Sequence, residues 1–166
     1  MRLYHGSYCK IKLIDLNFSR KYMDFGPGFY LTPNYRRAVM MANRSVDLRG
    51  EGMPEVNSFI FNRISCSKCV KIKEFKSNNW EWAEFVMKNR DKSAIVLYNH
   101  EYDIVIGPVA DSRVDAEIRN YKQEAGENYL NPVNLKTLAS RLRYAGESYI
   151  QYCFCTERSL NYLIRD

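Results

Sequence analysis

Asp24-Phe25-Gly26-Pro27-Gly28-Phe29-Tyr30-Leu31-Thr32 is the stretch on which the reading of this chain turns. Two glycines flank a proline, so the backbone can turn tightly and approach a ligand closely just before a β-favouring run begins at 28–32. Tyr30 then stands at a controlled position on a strand, where its ring can stack on a flat heteroaromatic ring for roughly 0.5–1.5 kcal/mol beyond area burial. Nicotinamide is such a ring. The dinucleotide fingerprint does not apply, because the GxGxxG spacing is absent and these glycines precede a strand instead of following one into a helix.

Upstream, RLYHG at 2–6 has the composition of a first short strand and places His5, one of only two histidines, at its end beside Gly6 and Ser7. Downstream, apolar residues at helical spacing follow Thr32-Pro33-Asn34 and stop before Gly50, which predicts a helix with both boundary signals. Alternation predicts strands at 56–64, 70–75 and 148–156, 102–110 reads as a buried strand, helical spacing predicts a helix at 78–90, and 112–123 and 134–143 also read as helical. Thr156 before Glu157 marks a helix start in the closing segment 156–164. The class is α+β, and strand-rich segments at both ends predict that the first and last thirds of the chain meet, since sheet edges must be paired.

A length of 166 residues predicts one domain over 1–166, and 46% hydrophobic with 27% charged residues predicts a soluble globular chain. The polar groups in MRLYHGSYCKIKLID argue against a signal peptide or membrane span, which predicts a cytoplasmic protein with reduced thiols. Cys66, Cys69, Cys153 and Cys155 have the count of a four-ligand zinc site, but the second pair spans one residue in an alternating strand, where buried free cysteines are common. The net charge of +6 suits an acidic partner, a nucleic acid or a phosphate-bearing ligand, although the basic residues are scattered. Thirteen Tyr and eight Phe with that charge also suit a non-catalytic nucleic-acid-binding module.

His5-Gly6-Ser7 near a strand end, followed by Phe25-Gly26-Pro27-Gly28-Phe29-Tyr30 before a second strand, resembles the ADP-ribosyltransferase superfamily in its His-Tyr-Glu branch of diphtheria-toxin-like and poly-ADP-ribose-polymerase-like proteins. WAEFVMKNR at 82–90 and YDIVIGPVADSRV at 102–114 extend a resemblance to a group of bacterial ADP-ribosyltransferase-like proteins. The resemblance implies a split antiparallel sheet core with flanking helices and NAD as co-substrate. It implies that His5 bonds a ribose hydroxyl, that Gly6 holds the carboxamide through its backbone, and that Tyr30 stacks on nicotinamide. Ser7, Gly28, Phe29 and Thr32 line the same pocket in this reading, with Arg20 reaching the diphosphate.

The third family position, usually Glu, falls on Gln151 in SYIQYCFCT. A Glu stabilises a developing oxocarbenium ion, whereas Gln can orient a 2′-hydroxyl but cannot act as a base. Glu147, four residues earlier, is a candidate for the missing charge. The expected activity is mono-ADP-ribosyl transfer to a protein or nucleic acid by a toxin-type effector under an antitoxin-like inhibitory partner; the alternative is an NAD glycohydrolase.

Overall fold

The computed structural model describes residues 1–66, 69–111, 113–143 and 149–166. Among the described residues, seven strands form two sheets. The first runs β1 (Arg2–Ser7), β3 (Glu55–Phe61), β7 (Leu163–Arg165), and the second β2 (Phe29–Leu31), β6 (Ile150–Phe154), β5 (Ile104–Pro108), β4 (Ile72–Glu74). Every pair is antiparallel except β4–β5. That one parallel pair departs from an all-antiparallel core because the intervening helix α3 (Trp80–Arg90) carries the chain back across the sheet.

Alternation along the strands divides the interior into two layers. Leu3, Phe29, Leu31, Phe59, Phe61, Ile104, Ile106, Tyr152 and Phe154 form one, contributed by both sheets. Val105 and Cys153, from the opposite face of the second sheet, join Trp82, Phe85 and Val86 of α3 in the other. α4 (Val114–Ala125) and α5 (Pro132–Leu142) complete that layer with Ile118, Tyr121, Leu135 and Leu138.

α1 (Tyr35–Arg49) occupies the predicted span. The Asn34 side chain accepts from the Arg37 N–H, and Gly50 closes the helix at φ 70°. Its buried stripe is Ala38 and Ala42, small enough for the helix to lie against β1 at Gly6. A Cβ on Gly6 would collide with Ala38 O and Ala42 N, so this glycine is required by close packing. Asn79 caps α3, and Asn131 with Pro132 opens α5.

The two ends of the chain meet as the sequence predicts. β2 pairs with β6, and β7 pairs with β3. The closing segment differs from its helical reading: α6 (Glu157–Leu160) makes one turn, and the chain then extends as β7. The free edge of β3 supplies a ladder there, and its hydrogen bonds outweigh continuation of a short helix. At the end of β3 the strand reading 56–64 likewise runs too far, since Arg63–Cys66 turn into a short helix, α2. No helix among the described residues is long and apolar enough to cross a membrane.

Candidate functional site

The site is built where β1 and β2 part. Tyr4 and Thr32 exchange both main-chain hydrogen bonds, at 2.8 and 2.9 Å, as an isolated pair linking the two sheets. In a continuing antiparallel ladder the next rung would join Gly6 and Tyr30. Instead, His5 Nδ1 lies 2.7 Å from the Tyr30 carbonyl oxygen, so the imidazole takes the acceptor a backbone rung would have used. The same alternation turns the N–H and C=O of Gly6, and the N–H of Tyr30, toward the gap.

The bond to Tyr30 settles the tautomer of His5. A carbonyl only accepts, so Nδ1 carries the hydrogen and Nε2 presents a lone pair, which has no partner among the described residues. Burial lowers the His5 pKa below the ordinary 6.5, with the Tyr30 carbonyl opposing only in part, and the ring is neutral near pH 7. It stacks on Phe29 at 4.5 Å between centroids and 25° between planes. A neutral, fixed imidazole with a free lone pair is an acceptor for a hydroxyl.

Tyr30 leaves β2 on the other face. Its ring packs against the helix-covered layer. Its hydroxyl donates to the Gly26 carbonyl at 2.7 Å and accepts from the Phe25 N–H at 3.0 Å. Burial, followed by the charges of Cys153 and Asp24, pushes the phenol well above its usual value and keeps it a donor. The turn is therefore anchored by the residue that follows it. Gly26 sits at φ 77°, a conformation that favours glycine. A Cβ on Gly28 would approach the Cys153 sulfur to 2.5 Å.

Gln151 shares that face and grips the same segment. Its Nε2 donates to Asp24 Oδ2 at 2.7 Å and lies 3.4 Å from the Pro108 carbonyl. Both partners are acceptors, so the amide nitrogen must face them, and Oε1 has no hydrogen bond among the described residues. Asp24, only 3% exposed, also accepts from Arg90 Nε at 2.8 Å and from the Ala110 N–H at 3.0 Å. Arg90 continues to Asp115.

The structure thus joins His5 to Tyr30 through the backbone, and Tyr30 to Gln151 through the 24–26 turn. It does not bring the three side chains into one contact: His5 faces the layer between the sheets, while Tyr30 and Gln151 face the helices. Thr32 spends its hydroxyl on Ile150 O and on the Asn34 N–H. Ser7 is buried near Cys9, and Phe29 is buried against His5. Arg20 is exposed, without a partner among the described residues. Glu147 lies outside the described residues.

The four cysteines of the zinc reading do not converge. Cys66 belongs to the layer between the sheets and Cys153 to the helix-covered layer. No group of metal-binding side chains occurs among the described residues. A cavity of about 390 Å³ beside Gly6 is lined by Tyr35, Val39 and Ala42 of α1 and by Pro54, Glu55 and Val56.

Asp24, Arg90 and His100 were not singled out by sequence. Asp24 opens the DFGPGFYLT stretch, and a carboxylate next to a buried aromatic is the signal that could have drawn attention to it. His100, whose Nε2 donates to the Phe25 carbonyl at 3.1 Å while Nδ1 accepts from the Tyr102 N–H, lies in an irregular loop with no periodicity to mark it.

A family described as "Protein of unknown function (DUF3990)" matches residues 1–164, and the chain belongs to that family. No curated protein and no solved structure matches it.

Proposed function

We propose that this DUF3990 chain binds NAD in the gap between β1 and β2, breaks its nicotinamide bond and transfers ADP-ribose to a macromolecular acceptor. The observation that carries the reading is the interrupted rung at Gly6 and Tyr30, with a neutral His5 beside it. A carboxamide offers one acceptor and two donors, and the N–H and C=O of a single side-chain-free residue complement it. Gly6 is that residue. His5 Nε2 accepts from a ribose hydroxyl, and the Tyr30 ring supplies a stacking face.

Cleavage of the nicotinamide bond develops positive charge on the ribose. Gln151 Oε1 accepts from the 2′-hydroxyl, while its Nε2 stays committed to Asp24, a carboxylate within hydrogen-bond reach of the amide. The amide takes up no proton, so activation of the acceptor nucleophile falls to the acceptor itself or to another group.

Incubation with NAD labelled in its adenylate part tests this. Label on a protein or nucleic acid with free nicotinamide supports transfer. Free ADP-ribose with nicotinamide and no labelled macromolecule supports hydrolysis. Intact NAD overturns the reading.

A further inference from the structure

On the side of the 25–28 turn away from β1, a second group of reactive side chains is unused by the reading above. Cys153 is the second-last residue of β6 and faces the helix-covered layer, and Cys155 follows two residues later, with the two sulfurs 3.4 Å apart. Cys155 borders a cavity of about 300 Å³ lined by Pro27, Tyr98, His100, Tyr102 and Arg158. Cys153 has no such access and is fully buried. Its sulfur rests against the turn, 4.0 Å from the Pro27 carbonyl, in the space that the absent side chain of Gly28 leaves.

We propose that Cys155 and Cys153 form a redox-modification site, in which Cys155 reacts with a low-molecular-weight disulfide entering the cavity and Cys153 resolves the adduct to a Cys153–Cys155 disulfide. The residues divide the work by position: the attacking thiol lines the cavity, and the resolving thiol is screened from everything except its neighbour. The neighbouring Cys153 thiol, with the His100 ring assisting, overcomes burial and lowers the Cys155 thiol to about 6, while burial raises Cys153 well above the ordinary thiol range.

The Cys155 thiolate attacks one sulfur of the disulfide RSSR, forming a Cys155–S–SR bond as RS⁻ departs. Cys153 then loses its proton to a departing thiolate or solvent and attacks the Cys155 sulfur, releasing the second RS⁻. Two protein thiols are oxidised, and one RSSR is reduced to two thiols. Closing the sulfurs from 3.4 Å to a bond of about 2.0 Å draws Cys153 away from Pro27 and Gly28. The bond therefore reshapes the turn that Tyr30 anchors.

The test uses the full chain with oxidised glutathione, followed by peptide mass mapping, and is independent of NAD. The wild type is expected to lose two thiols, linked 153 to 155, with no glutathione retained there. Cys153→Ser keeps a hydroxyl donor beside Cys155 and is expected to hold glutathione on Cys155 as a stable adduct. Cys155→Ser is expected to leave Cys153 unmodified. In the wild type, Cys155 should react several-fold faster than the exposed Cys9. A stable glutathione adduct on wild-type Cys155, reaction confined to Cys9 and Cys69, or modification of Cys153 in Cys155→Ser would each overturn the proposal.

Discussion

Gln151 Nε2 stands 2.7 Å from Asp24 Oδ2, across 127 residues of sequence. A carboxylate has no hydrogen to give, so position 151 must supply a donor, and an amide does so where a second carboxylate would not. The residue that departs from the His-Tyr-Glu pattern is the one that its buried neighbour requires.

Gln151→Glu therefore places two carboxylates within hydrogen-bond distance in a poorly solvated setting. The substitution should cost about 2–3 kcal/mol near neutral pH, less as the pair gains a proton in acid. Adding Asp24→Asn restores a donor toward position 151 but sets it against the Ala110 N–H and weakens the hold on Arg90, so it should recover only part of the loss. Denaturation of the four proteins of the double-mutant cycle reads this directly; purely additive effects would show that the contact carries no coupling.

His5 gives the fold a pH dependence of defined sign. Its folded pKa is below 6.5, so between those values the unfolded chain binds more protons, and stability falls as pH falls through that window. Above 6.5 both states hold a neutral ring and the contribution is constant. The stability difference between wild type and His5→Gln should be level above 6.5 and shrink below it. A difference that stays level on both sides would contradict the burial of a neutral imidazole.

Gly6→Ala sets a methyl group against main-chain atoms of α1, which have no rotamer by which to escape. A loss of about 3 kcal/mol is expected, with α1 and β1 separating first. Hydrogen exchange resolved by residue checks it. A near-neutral effect would mean that the helix does not lie as close to the strand as the structure has it.

Tyr30→Phe and Tyr30→Ala separate the hydroxyl from the ring. Phe loses the bonds to Phe25 N–H and Gly26 O and should cost about 1–2 kcal/mol of stability, while NAD affinity changes little. Ala should lower NAD affinity roughly fivefold or more, the worth of an aromatic stack. Calorimetric titration distinguishes them, and equal affinities for all three proteins would remove Tyr30 from the binding surface.

The helices α1, α3 and α5 were legible because their signals are local: apolar residues recur at helical spacing, and Asn34 and Gly50 mark both ends of α1, whereas the Asn131 cap and Pro132 start α5 two residues before its expected span. His5 and Tyr30 were read together only through the resemblance carried by His5-Gly6-Ser7 and the 25–30 stretch, and the structure sets His5 Nδ1 against the Tyr30 carbonyl. β7 was not legible, since Leu163–Arg165 is extended only because β3 offers it an edge. Asp103 was also hidden. It is fully buried and holds Arg158, Thr156 and the Lys71 N–H, partners contributed by separate segments.

By itself, then, the sequence determined the α+β class, the positions of most elements, and a glycine-flanked turn leading into Tyr30. Propensity, capping and alternation act between residues a few positions apart, and they can be read in order along the chain. Only the tertiary structure decided which faces meet: His5 toward the layer between the sheets, Tyr30 and Gln151 toward the helices, and Asp24 beneath Gln151. Ladders, buried ion pairs and thiol contacts depend on atoms brought together from distant positions, and their free energies arise only when those atoms leave water together.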